Sequence, residues 1–208
     1  KHAAKSGADG ALIVSPYYNK PTQKGLYLHF KAIAQSVNIP IILYNIAGRT
    51  AVNIAPETMA QLAGDCKNII GVKEASGSLD QMQMIKELCP ESFLLLSGDD
   101  ALTLPVLSIG GAGVISVVAN IVPADVARLV KTFRAGNLEE ARRIHYKLFP
   151  LVRAMFLETN PIPVKKAMEL LGHCSGELRL PLCEMTDENL RKLKSALQKY
   201  GLLEGHLV

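Results

Sequence analysis

Short, nearly all-apolar runs alternate with longer stretches in which apolar residues return every three or four positions, from residue 11 to residue 135. The runs ALIVS (11–15), PIILY (40–44), IIGVK (69–73), FLLLS (93–97) and GVISV (113–117) have the length and β-branched content of strands. The segments between them, 24–37, 56–63, 79–88, 100–109 and 123–135, carry helical periodicity. Strands without a polar alternate position are those of a parallel sheet covered by helices, so the class is α/β. An open doubly wound sheet and a closed barrel give the same pattern at this level.

Beyond Gly136 the rhythm becomes purely helical: 138–155, a stretch opening at Asn160 with Pro161 in its first turn, and 187–200. Asn160 and Asp187 are the expected N-caps, and Gly172 and Gly201 the expected stops. The expected division is therefore residues 1–136 as βα units and 137–208 as a helical domain. The opening KHAAKSGADG reads as the tail of a helix before a glycine turn, which leads to the expectation that the sequence is cut from something longer.

Composition narrows the function classes. Of 208 residues, 49% are hydrophobic and 20% charged, as in a compact globular chain. The net charge of +4 is spread out without a block of like charges, so neither a nucleic-acid partner nor a membrane is expected. No apolar stretch approaches the roughly 18 to 20 residues of a membrane helix, and the expected location is cytoplasmic. Cys66, Cys89, Cys174 and Cys183 form no CxxC pair and the five histidines lack ligand spacing, so no metal site is expected.

Candidate chemistry begins at Lys73, a charged residue at the carboxyl end of an apolar run, with Tyr44 at the same height in the preceding run. Alternation places Lys73 on the side of Gly71 and Ile69, with Gly71 leaving space beside the amine. Ligands of α/β sheets and barrels sit at the carboxyl ends of strands. Desolvation there disfavours an ammonium ion, and a neutral amine attacks ketones while a nearby phenol moves protons. The alternative is structural: Lys73 snorkels outward to pair with Glu74 or an aspartate, and Tyr44 caps the core. The glycines of GGAGVIS (110–116) precede a strand instead of following one, so they read as a helix-to-strand turn and not as a phosphate loop.

The segments GADGALIVSPYYNKPTQKGLYLHF, YNIAGRT, GVKEASGS, SGDDALTLPVLSIGGAGVISVVAN and TNPIPVKKAM together resemble the dihydrodipicolinate synthase family of pyruvate-dependent class I aldolases, a superfamily shared with N-acetylneuraminate lyase. The resemblance covers essentially the whole chain, in order. It implies a (β/α)8 TIM barrel, of which only the last five βα units are visible, followed by a helical region. It further implies that Lys73 forms a Schiff base with pyruvate, that Tyr44 shuttles protons, and that Arg49 holds the carboxylate of aspartate semialdehyde. Arg49 could otherwise serve a loop salt bridge. Tyr18 matches a tyrosine that joins a neighbouring subunit's proton relay, its alternative being an interface aromatic. Gly98 and Ile115 match positions lining the pyruvate pocket, Ile115 through its backbone, and Tyr17 matches a position of the lysine feedback site.

By the same resemblance the reaction belongs to diaminopimelate and lysine synthesis, needs neither cofactor nor metal, and is carried by a homotetramer built as a dimer of dimers. Departures are few. The first three βα units have no counterpart, Ala47 stands where proline is common, and Ser78 replaces an acidic or amide residue. A related keto-acid aldolase, or a non-catalytic barrel remnant serving as a binding partner, is the alternative function.

Overall fold

The computed structural model describes residues 1–204, which divide into two compact units, residues 1–115 and the described residues from 116 onward. The first contains α1 (His2–Lys5), β1 (Ala11–Val14), α2 (Gln23–Gln35), β2 (Ile41–Asn45), α3 (Ala47–Thr50) and α4 (Pro56–Asp65). It continues through β3 (Ile69–Glu74), α5 (Leu79–Leu88), β4 (Leu94–Ser97), a 3₁₀ turn at Asp100–Leu102, α6 (Thr103–Ser108) and β5 (Gly113–Val114). All strand pairs are parallel, in the order β1-β2-β3-β4-β5. A doubly wound sheet reverses its order at a switch point, whereas serial order throughout is that of consecutive barrel units. The ambiguity left by periodicity is thus resolved in favour of the barrel.

The two faces of this sheet differ. Ile41, Leu43, Val72 and Leu95 lie on one face within a core built with Leu26 and Phe30 of α2, Met59 and Leu62 of α4, and Met82 and Ile85 of α5. Register partners place Leu12, Val14, Ile42, Tyr44, Gly71, Lys73, Leu94 and Leu96 on the opposite face. That face is open: Leu12, Val14 and Leu94 are exposed and Tyr44 and Lys73 half-buried. Wholly apolar strands predict helices covering the sheet; among the described residues the helix-packed core lies on one face.

Two local readings change. A register shift between Ile41 and Ile42 pairs Ile41 with Ile69 and Ile42 with Gly71, so β3 bulges at Ile70. Ile69 consequently sits in the helix-packed core beside Val72, not on the side of Lys73. Gly71 does not leave space for the amine either, since a Cβ there would lie 2.5 Å from the carbonyl oxygen of Leu94. Its lack of a side chain lets β4 pack against β3.

The second unit holds a 3₁₀ turn at Val118–Asn120 and the helices α7 (Pro123–Arg134), α8 (Leu138–Ala154), α9 (Ile162–Leu170) and α10 (Asp187–Tyr200). Ala141, Ile144, Leu148 and Leu151 of α8 and Leu193 and Leu197 of α10 are buried. Helix α7 groups with α8 in this unit. The expected caps shift by one residue. Thr186, not Asp187, caps α10 by accepting from the amide of Asn189 at 3.3 Å, and Pro161, not Asn160, occupies the cap of α9. A hydroxyl preceding an acidic first turn serves the cap, and Asp187 then favours the helix dipole from within that turn. Gly201 (φ +87) and Gly172 (φ +74) end α10 and α9 in the left-handed conformation, as expected of glycine stops.

Candidate functional site

Tyr44 and Lys73 are direct register partners at the carboxyl ends of β2 and β3. Lys73 Nζ stands over the face of the Tyr44 ring, 4.1 Å from its centroid. That is within cation–π range, a contact of about 1 kcal/mol at a partly exposed site. The amine is half-buried on the open face and is held by an aromatic surface that could also offer a hydroxyl to whatever bonds the amine. The structural alternative, a Lys73–Glu74 pair, does not occur: Glu74 alternates to the helix-covered face, is fully buried, and accepts from Asn45, Gln81 and the amide of Ser76.

Arg49 lies in α3, a one-turn helix that periodicity does not reveal because four residues carry too little pattern. The turn is fastened by Thr50, whose hydroxyl donates to Ile46 O (3.1 Å) or Val52 O (3.0 Å), and it ends at Ala51 in the left-handed conformation (φ +58). The guanidinium-bearing residue is exposed, at the same strand end as Tyr44. Gly98 follows β4, where its amide donates to Glu74 O at 2.7 Å, and a Cβ would lie 2.5 Å from that of Ala75. Only a glycine lets the β4 end close onto the residues after Lys73. Ile115 follows β5, its amide donating to Ser97 O at 2.9 Å, so its backbone continues the ladder at the same end of the sheet.

Tyr17 and Tyr18 lie in the segment that follows β1, 68% and 88% exposed, with Tyr18 at φ +70. A non-glycine residue in that conformation carries a steric cost, and its ring is turned to solvent. Ser78, noted as a departure from the family pattern, caps α5 by accepting from the amide of Gln81 at 3.1 Å. The GGAGVIS glycines form the expected turn: Gly110 is at φ +89, and a Cβ at Gly111 would lie 2.4 Å from Val106 Cγ1.

Sequence reasoning missed the residues behind the site. Asn45 and Glu74 follow Tyr44 and Lys73 directly and are both fully buried, joined by a hydrogen bond from Asn45 Nδ2 to Glu74 Oε2 at 2.9 Å. The available signal was the repeated pattern of two polar residues closing an apolar run, YN and KE, with the second residue of each necessarily on the covered face.

Comparison with known proteins bears on all of these positions together. The model of the dihydrodipicolinate synthetase family matches residues 1–200. The 4-hydroxy-tetrahydrodipicolinate synthase of Endomicrobium trichonymphae is 66% identical over 202 residues, covering 97% of this chain and 69% of that protein. That of Syntrophus aciditrophicus is 58% identical over 203 residues, covering 98% of this chain and 69% of that protein. The crystal structure of dihydrodipicolinate synthase from Aquifex aeolicus superposes with a TM-score of 0.95 at 53% identity, over 97% of this chain and 69% of that one.

Proposed function

The chain belongs to the dihydrodipicolinate synthetase family, and from that membership we propose that it condenses pyruvate with aspartate semialdehyde through a Schiff base on Lys73. The product is 4-hydroxy-tetrahydrodipicolinate, in diaminopimelate and lysine synthesis. The observation that carries the residue assignment is the register pairing of Lys73 with Tyr44, amine over ring.

Bond making and breaking follow from the groups at this strand end. The Lys73 amine adds to the pyruvate ketone, and loss of water from the carbinolamine gives an imine. Tyr44 carries protons in both steps. The protonated imine nitrogen draws electrons from the methyl carbon, which loses a proton to become an enamine. That carbon bonds to the aldehyde carbon of aspartate semialdehyde. The substrate's amino group then adds to the imine carbon and displaces Lys73, closing the ring and regenerating the amine. Arg49, whose planar fork suits a carboxylate, holds the second substrate. Gly98 and Ile115 shape the pyruvate end of the site. Tyr18, exposed as it is, supports a reading in which it reaches a second copy of the chain within a homotetramer, and Tyr17 one in which it serves regulation at the same surface. Among the described residues, no helix is long and apolar enough to cross a membrane.

Turnover of pyruvate with a panel of aldehydes tests this. Lys73→Ala abolishes condensation, and Arg49→Ala raises the KM for aspartate semialdehyde by about 10- to 100-fold, the loss of a charged hydrogen-bonding partner. Retained turnover in Lys73→Ala, or an unchanged aldehyde preference in Arg49→Ala, contradicts the assignment.

A further inference from the structure

The fully buried Glu74 has only N–H donors around it. Its Oε1 accepts from the amide of Ser76 at 2.7 Å, and its Oε2 accepts from Asn45 Nδ2 and Gln81 Nε2, each at 2.9 Å. Both oxygens are acceptors, the pattern of a carboxylate and not of an amide. The donors are themselves oriented. The amide of Ile54 donates to Asn45 Oδ1 at 3.0 Å, which fixes that side chain with its NH₂ toward Glu74 and toward Asn53 Oδ1, 2.7 Å away. Asn53 in turn donates to Gln81 Oε1 at 2.7 Å. The circuit therefore joins the residue after Tyr44, the residue after Lys73, the first turn of α5, and the segment that follows the Arg49 turn. Gln23 of α2 holds that segment from its other side, donating to Asn53 O at 2.8 Å and accepting from the amide of Ala55 at 3.0 Å.

We propose that Glu74, with Asn45, Asn53 and Gln81, forms a positioning set that holds the Lys73–Tyr44 pair and the Arg49 turn in one frame, so that the two substrates meet in register. Asn45 and Glu74 lie on the covered face, and the set acts through its neighbours in sequence or space. A satisfied buried network is stiff, and a displacement of about 1 Å at a reacting group costs about a hundredfold in rate. Glu74→Gln places a donor where Ser76 N–H, or the two side-chain amides, already donate. The carboxyl ends of β2 and β3 must then shift. Asn53→Ala frees the segment after Arg49 while leaving the Asn45–Glu74 bond in place, so it acts mainly on the second substrate.

The proposal rests on the condensation reading, and one experiment separates the two. Lys73 is labelled with pyruvate and borohydride in the wild-type protein and in Glu74→Gln, Asn53→Ala and Gln81→Ala, with rates normalised to the folded fraction by circular dichroism. KM is measured for each substrate. The expected result is labelling of Lys73 at least about tenfold slower in Glu74→Gln, and an Asn53→Ala protein whose KM rises more for aspartate semialdehyde than for pyruvate. Gln81→Ala, which removes one donor to Glu74 and the acceptor of Asn53 but places no donor against another, falls between wild type and Glu74→Gln. If wild type is labelled while every variant, per folded molecule, matches it in rate and in both KM values, the network only stabilises the fold and the proposal is overturned. If wild-type Lys73 is not labelled at all, the condensation reading falls and takes this proposal with it.

Discussion

Each unit contains a carboxylate that ties several elements together, and the two are built in opposite ways. In the first unit Glu74 is completely buried and satisfied only by neutral amides from β2, α5 and the backbone. In the second, Asp125 of α7 keeps 19% of its side chain exposed and gathers Arg128 at 2.8 Å, Lys147 of α8 at 2.9 Å and the hydroxyl of Tyr200 of α10. Lys147 also lies 4.6 Å from the centre of the Tyr200 ring. Hydrogen-bond count therefore does not set what a polar cluster is worth. A buried donor left without its acceptor keeps the full desolvation cost, whereas a rim charge turns to water.

Loss of the buried carboxylate should do the most damage. Glu74→Ala takes from Asn45, Gln81 and the amide of Ser76 the acceptor they share, leaving Asn45 and Gln81 only Asn53 Oδ1, and should lower the unfolding free energy by about 2–3 kcal/mol. Asp125→Ala should cost about 1 kcal/mol. In urea titrations of the two variants, a lower midpoint for Asp125→Ala than for Glu74→Ala would contradict this order.

A smaller effect separates the clusters by pH. The Tyr200 hydroxyl, followed by Lys147, holds the Asp125 carboxyl below its ordinary range, and burial followed by the bond to Asp125 pushes the Tyr200 phenol well above its own. A depressed carboxylate contributes stability that is complete above its unfolded value of about 4 and is lost as pH falls toward the folded one. A raised phenol contributes stability that is complete below about pH 10 and lost as pH rises further, because the unfolded chain ionises first. The urea midpoint should therefore fall at both extremes, and Tyr200→Phe should remove part of the alkaline decline and soften the acid one. An unchanged pH profile in Tyr200→Phe would mean that the bond to Asp125 contributes nothing in solution.

The smallest effect concerns thiols. Cys66 and Cys89 of the first unit are buried, and burial raises the Cys89 thiol to about 11, while Cys174 and Cys183 of the second are exposed. Two thiols should react quickly with an aromatic disulfide reagent at pH 8, and Cys89 only on unfolding. Rapid labelling of Cys89 in the native protein would show that the first unit opens far more readily than its packing implies.

Legibility in the sequence followed the length of the pattern. Strands β1 to β4, of four to six residues, lie within a residue of the limits that periodicity predicts, and α5 and α10 lie at those limits, because many side chains report on one periodicity; the helix expected over 100–109 is a 3₁₀ turn followed by the six-residue α6. Strand β5 shrank to two residues and α3 went unseen, since so few positions carry no period. The bulge at Ile70 was illegible for another reason. It arises from the pairing of β3 with β2, and within IIGVK nothing distinguishes a slipped register from a regular one. At the site, Lys73 and Tyr44 could be placed side by side from alternation alone, whereas Asn53 and Gln81 come from separate segments and meet only in three dimensions.

The proposed reaction turns on a covalent bond between the nitrogen of Lys73 and pyruvate. Its most direct test is reduction of the protein with borohydride in the presence of pyruvate, followed by peptide mass mapping. The account predicts a carboxyethyl group on Lys73 alone, formed only when pyruvate is present. An unmodified Lys73, or a label that settles on another lysine, would contradict it.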